Sequence, residues 1–89
     1  MTVMKMAPGI TSVAHRHKQQ EETYLVIDGD VEIKLEDEIV KLKPFDAVRV
    51  SRDTARALRN VGNKEALIIA FGTPNTGPGD SINLENFWD

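Results

Sequence analysis

The sequence predicts an all-β protein, a small antiparallel sandwich or barrel. Three observations carry that reading. Short runs alternate apolar and polar residues with a period of two, turn signals separate them every few residues, and no stretch sustains a helical period.

The alternation is clearest where Val31, Ile33 and Leu35 are interleaved with Glu32 and Lys34, and residues 39–43 continue it. Val48 and Val50 flank Arg49, and residues 55–60 alternate again. The turn signals between these runs are Asp28-Gly29, Glu36-Asp37-Glu38, Lys43-Pro44, Ser51-Arg52-Asp53 and Val61-Gly62-Asn63. Asp28-Gly29 reads as a two-residue hairpin turn, because Gly29 takes a positive φ at little cost.

Two runs break the alternation. Tyr24-Leu25-Val26-Ile27 and Ala66-Leu67-Ile68-Ile69-Ala70-Phe71 are apolar on both faces. A strand in a single-layer wall exposes one face to solvent, so a two-sided run asks for a second cover. That cover comes either from flanking segments of the same chain or from a partner subunit. The chain has 89 residues, enough for one domain, and a fold of this size hides only about 60–65 % of the surface of its unfolded chain. There is no cysteine to make up the shortfall with disulfides, so a homodimer is the expected assembly.

After Phe71 the composition shifts. Residues 72–80 carry two prolines and three glycines. Residues 1–72 are therefore expected to form the barrel and 73–89 a Pro/Gly-rich arm, whose terminal Phe87 and Trp88 anchor in an apolar groove.

Composition excludes several functions. Net charge is −3 with the basic residues scattered, which argues against nucleic acid or an anionic membrane as partner. The absence of cysteine removes thiolate metal sites, iron–sulfur clusters and a cysteine nucleophile. Ser12, Ser51 and Ser81 stand in no nucleophile-elbow context, and there is no glycine-rich phosphate loop. Residues 1–10 lack the apolar core of a signal peptide, and the run 66–71 is too short to cross a bilayer, so a cytoplasmic location is expected.

The chain's two histidines, His15 and His17, must carry any histidine chemistry. Two residues apart on a strand, their rings lie on one face about 6.5–7 Å apart along the backbone and can converge on one point. Glu22 opens the next strand and returns a carboxylate beside them. Two imidazoles and one carboxylate suit iron(II), manganese or zinc and leave coordination positions open. The alternative is a pair of exposed histidines beside a solvated acidic turn.

The spacing Gly9, five residues, His15, one, His17, four, Glu22, six, Gly29 fits the first cupin motif at every fixed position. A random chain of average composition matches it on the order of once in 10⁵. Asp28-Gly29-Asp30 also resembles the first cupin turn, and Lys43-Pro44-Phe45-Asp46-Ala47-Val48 stands where cupins usually show a Pro-Gly-Asp turn. The resemblance runs from about Gly9 to Phe71. It implies a small cupin-type, jelly-roll-like antiparallel β-barrel, commonly dimeric, with a pocket inside.

The second motif departs from the pattern. Phe45 stands for a glycine, Ser51 for a proline, Asp53 for a second glycine and Arg56 for the third histidine; only Asn60 is retained. The resemblance thus implies an inward-facing Arg56 that cannot ligate a metal, since guanidinium has no lone pair and stays charged. Three arrangements follow. Glu22 and Arg56 pair and leave no metal; a divalent ion (Fe, Mn, Zn or Ni) persists on His15, His17 and Glu22 with Arg56 set back to clamp a carboxylate of a ligand; or Arg56 is a surface charge. Tyr24 shares its strand face with Glu22 and belongs either to the pocket wall or to the core.

Two functions stay open. One is a binding domain for a small anionic or sugar-like ligand, with Arg56 and Tyr24 as ligand-binding groups. The other is a metal-dependent enzyme of dioxygenase, isomerase or decarboxylase type using His15, His17 and Glu22.

Overall fold

The structure is a computed structural model, and it describes residues 1–18, 20–72, 81–85, 87 and 88. The strands are β1 (Thr2–Met6), β2 (His15–His17), β3 (Glu22–Asp28), β4 (Val31–Leu35), β5 (Glu38–Leu42), β6 (Ala47–Val50), β7 (Arg56–Asn60), β8 (Ala66–Gly72) and β9 (Ser81–Asn83). They form two antiparallel sheets, the first in the order β1-β8-β3-β6 and the second in the order β5-β4-β7-β2-β9. The all-β class holds. The two sheets share one core without being hydrogen-bonded into a closed barrel, which gives a flattened jelly roll. No helix among the described residues is long and apolar enough to cross a membrane.

The period of two decides which side chains meet between the sheets. Met6, Tyr24, Val26, Val50, Ile68 and Ala70 come from the first sheet, and Val31, Ile33, Leu42 and Leu58 from the second. On β7 the alternation is partly lost, because Ala57 is buried as well as Arg56, Leu58 and Asn60. Arg59 shares the outer face of β7 with Ala57, and its guanidinium lies 4.2 Å from the centre of the Trp88 ring. Lys34 stands 5.0 Å from the Phe87 ring centre. The described part of the terminal segment therefore lies against the chain's own second sheet, with β9 added beside β2. The Pro/Gly-rich residues 73–80 lie outside the described residues.

The outer face of the first sheet accounts for the two-sided runs. Val3, Ile69 and Leu25 stand in one cross-strand row. Leu67 and Phe71 share that face on β8, pointing away from the core.

The turn at Asp28-Gly29 is not a hairpin. β3 belongs to the first sheet and β4 to the second, so this corner switches sheets. A turn signal states that the chain reverses but not which sheet receives it. Gly29 is required on two counts: its φ is 90°, and a Cβ there meets the Ala66 Cα and Cβ at 2.9 Å. The true two-residue hairpin is Glu36-Asp37, between Leu35 and its partner Glu38, with Glu36 at φ 51°.

Two further sheet switches carry strained non-glycine residues. Phe45, between β5 and β6, has φ 74°, and Asp53, between β6 and β7, has φ 65°. These are the two positions at which the cupin pattern has glycine. The corners persist because hydrogen bonds hold them: the Phe45 N–H donates to the Val26 carbonyl at 2.7 Å and the Asp53 N–H to the His17 carbonyl at 2.6 Å. The positive φ at both positions agrees with the register that the resemblance implies for Arg56.

Opposite substitutions should separate the two kinds of corner. Gly29→Ala should destabilise by at least about 1–2 kcal/mol from φ alone, before the clash with Ala66. Phe45→Gly should stabilise by roughly 0.5–1 kcal/mol, the relieved strain less the entropy that glycine adds to the unfolded chain. Urea denaturation of both variants measures the difference; a loss of stability in Phe45→Gly would show that the aromatic side chain is needed where it stands.

Candidate metal and ligand site

The short strand β2 supplies His15 and His17 from the second sheet, with Arg16 turned outward between them. Their ring centroids are 4.9 Å apart and the rings are nearly perpendicular, at 89°. Glu22 and Tyr24 come from β3 in the first sheet, so the site joins the two sheets. Everything meets on one atom. Glu22 Oε1 lies 3.2 Å from His15 Nε2, 3.1 Å from His17 Nε2 and 3.5 Å from an Arg56 terminal nitrogen. The Tyr24 hydroxyl donates to the same oxygen at 2.8 Å.

These residues fit a divalent metal. His15 Nδ1 lies 3.0 Å from the Val13 carbonyl. A carbonyl only accepts, so Nδ1 carries the proton and the Nε2 lone pair is left for a ligand. One ligand atom each from His15, His17 and Glu22 lie within 4.8 Å of one another. Metal bonds of about 2.0–2.2 Å at angles near 90–109° place adjacent ligand atoms roughly 2.9–3.5 Å apart. The two imidazole–carboxylate separations, 3.2 and 3.1 Å, fall in that range.

Arg56 is fully buried. That rules out the surface-charge arrangement. Its second terminal nitrogen donates to the Ser51 carbonyl at 3.0 Å, and Nε is buried with no hydrogen-bond partner among the described residues. The guanidinium is thus the internal counter-charge of Glu22. Asn60, also buried, bonds the Met6 and Lys64 carbonyls and accepts from the Gly62 N–H, which makes it a corner brace.

The charges perturb one another. Burial pushes the Glu22 carboxyl up, but the hydrogen bonds from His15 and Tyr24, with attraction to the His17 and His15 rings, outweigh it and bring it down to about 2. His15 is raised above 6.5 by its hydrogen bond to Glu22, against the opposing effect of burial. Burial, followed by the charge of Glu22, holds the Tyr24 phenol far above its ordinary range, so it remains a donor.

A pocket of about 220 Å³ opens beside this cluster. Its walls include Met4, Val13, Leu58 and Ala70, together with the hydrogen-bonded group His15, Glu22 and Tyr24 and with Thr2 and Ser12. Tyr24 is on the wall as well as in the core. Arg56 does not line this pocket, and its guanidinium lies against Glu22, 3.5 Å from Oε1. Of the wall residues, His15, Glu22 and Tyr24 are singled out by the sequence, and Ala70 only as part of an apolar run. Ser12 and Val13 lie in an irregular segment that no periodicity marks.

The cupin domain family model matches residues 2–72. The chain belongs to the cupin family. Polyketide synthase CurC of Streptomyces cyaneus is 30 % identical over 69 residues, which are 78 % of this chain and 45 % of that protein, so the chain spans less than half of this relative. A conserved protein with a double-stranded β-helix domain from Klebsiella pneumoniae superposes with a TM-score of 0.83 at 21 % identity, covering 93 % of this chain and 71 % of that one. The capsular polysaccharide assembling protein CapF of Staphylococcus aureus gives 0.82 at 25 % identity over 93 % of this cupin and 27 % of CapF. A predicted oxalate decarboxylase from Thermotoga maritima gives 0.77 at 22 % over 82 % and 64 %.

The titrations of this cupin's site carry a pH signature in metal-free protein. Glu22, lowered, contributes stability present above 4.5 and lost as pH falls towards about 2. His15, raised, contributes stability present below 6.5 and lost as pH rises through its folded value. The stability difference between wild type and Glu22→Gln should therefore be largest between pH 4.5 and 6.5. Thermal denaturation in chelator across that range checks it, and a difference independent of pH would remove the His15–Glu22 coupling.

Proposed function

We propose that this cupin is a small-molecule-binding domain that holds a divalent metal on His15, His17 and Glu22 beside its pocket. The observation that carries the reading is the convergence of both Nε2 atoms on Glu22 Oε1 at metal-ligand spacing, beside an opening of about 220 Å³. When bound, iron, manganese, zinc or nickel supplies Lewis-acid or redox chemistry to a ligand oxygen. The chain's own residues do the positioning. The Val13 carbonyl fixes the His15 tautomer, Tyr24 holds the carboxylate, and Arg56 offsets its charge.

A second reading, a metal-dependent enzyme of dioxygenase, isomerase or decarboxylase type, draws on the small number of protein ligands, which leaves coordination positions open to a substrate. Both readings require the metal, and Arg56 controls how tightly it is held. Arg56→His supplies a further ligand and removes a fixed positive charge where screening is poor. It should bind zinc, nickel or manganese at least about tenfold more tightly than the parent, about 1.4 kcal/mol. Glu22→Gln should bind more weakly. Titration calorimetry on the three proteins decides it, and equal affinity in parent and Arg56→His would take Arg56 out of the site's electrostatics.

We also infer a homodimer through the outer face of the first sheet, where the row Val3–Ile69–Leu25 continues to Ala47 on β6. Burying that face supplies the core surface that a domain of this size lacks. Light scattering should give about twice the 9.9 kDa of one chain; a mass of one chain at micromolar concentration would withdraw the dimer.

A further inference from the structure

We propose that the pocket takes a single aromatic ring bearing a hydroxyl, with the hydroxyl at His15 and Glu22 and the ring among Met4, Val13, Leu58 and Ala70. This rests on the reading of the pocket as the ligand site and narrows its ligand class from anionic or sugar-like to phenolic.

Size sets the first limit. The pocket measures about 220 Å³, and an apolar protein cavity of about 150 Å³ accepts benzene. One six-membered ring with one or two small substituents fills such a space, and a fused-ring or disaccharide ligand exceeds it.

The distribution of polarity sets the second. His15, Glu22 and Tyr24 form one hydrogen-bonded group on the wall, Thr2 and Ser12 add two further hydroxyls, and much of the remaining wall is hydrocarbon or thioether. Two of the polar wall groups are already engaged: the Ser12 hydroxyl accepts from the Leu58 N–H at 2.8 Å, and the Tyr24 hydroxyl donates to Glu22. A sugar, with a hydroxyl on most carbons, leaves several of them without partners against the apolar wall and loses affinity for each. A phenol has one hydroxyl, and the ionised Glu22 carboxylate is there to accept its proton in a hydrogen bond. Arg56 offers an anion nothing, since it is fully buried and bound to Glu22 and Ser51. Tyr24 offers a ring for edge or offset stacking, and Met4 an adaptable thioether.

The test uses 4-methylphenol and glucose as probes on the purified full chain, read by amide chemical shifts in nitrogen-15 spectra. The expected result is saturable binding of 4-methylphenol at least about tenfold tighter than glucose, with shifts centred on residues 12–15 and on Ala70. Ala70→Leu places a larger side chain in the space and should weaken 4-methylphenol at least about tenfold while zinc affinity stays unchanged. Met4→Ala, which removes the thioether from the wall away from the metal ligands, should weaken 4-methylphenol in the same direction if Ala70→Leu does not fold. Glucose binding as tightly as 4-methylphenol at these amides would overturn the phenolic assignment and leave the ligand-site reading intact. Failure of both probes to shift these amides, with zinc still binding, would overturn the phenolic assignment without touching the metal reading.

Discussion

A guanidinium sealed between two β-sheets is the constraint around which this molecule is arranged. Arg56 comes from the second sheet with no exposed surface, and a charge so placed is tolerated only with an anion in reach. Glu22 is that anion and comes from the first sheet, so the pair couples the sheets where no hydrogen-bonded ladder does. Its terminal nitrogen on the Ser51 carbonyl extends the tie to the corner between β6 and β7. Removing one partner of a buried ion pair costs about 3–5 kcal/mol, and the cost here falls below that because Glu22 keeps some contact with water. The same carboxylate oxygen receives Tyr24 and faces both histidines. Fold and site therefore share a single atom, and a change at Glu22 acts on both.

The parts of this arrangement governed by local periodicity were legible in the sequence. Val31 and Ile33 point inward as their alternation requires, and the HxH spacing puts both rings on one face. Glu22 returns to them because its strand begins at the polar bend. What local signals do not carry is the partner of each strand. Asp28-Gly29 has the composition of a hairpin and is a switch between sheets, while the true hairpin, Glu36-Asp37, contains no glycine. β9 is only three residues long and owes its existence to pairing with β2, a tertiary contact without a local pattern. The pocket walls fall in the same class. Val13 and Ser12 are irregular in conformation, and only the packing of the two sheets brings them opposite Met4 and Ala70.

The strained corners show a backbone held in a shape that its residues do not favour. Phe45 and Asp53 hold positive φ angles of 74° and 65° that glycine adopts without cost. Each is fixed by a backbone hydrogen bond to a neighbouring strand, at Val26 and His17 respectively. The second of these bonds ends on a candidate metal ligand, so the corner that seats Arg56 also fixes the strand carrying the histidines. Both corners hold this geometry without a glycine.

Replacing an imidazole by a guanidinium alters the charge of the site more than its shape. Three neutral imidazoles with one carboxylate sum to −1; two imidazoles, a carboxylate and a guanidinium sum to zero. A divalent cation entering the second set meets no net attraction, and whatever affinity it has must come from the directed lone pairs of His15, His17 and Glu22. A metal held there would exchange more readily and would compete with protons for the His15 nitrogen, which already favours them through Glu22. The pocket beside it is a separate matter, since its apolar walls persist whether or not the metal is held. For the proposed ligand, shape and hydrophobicity would hold the body, and the polar groups of His15 and Glu22 would set which way round it lies.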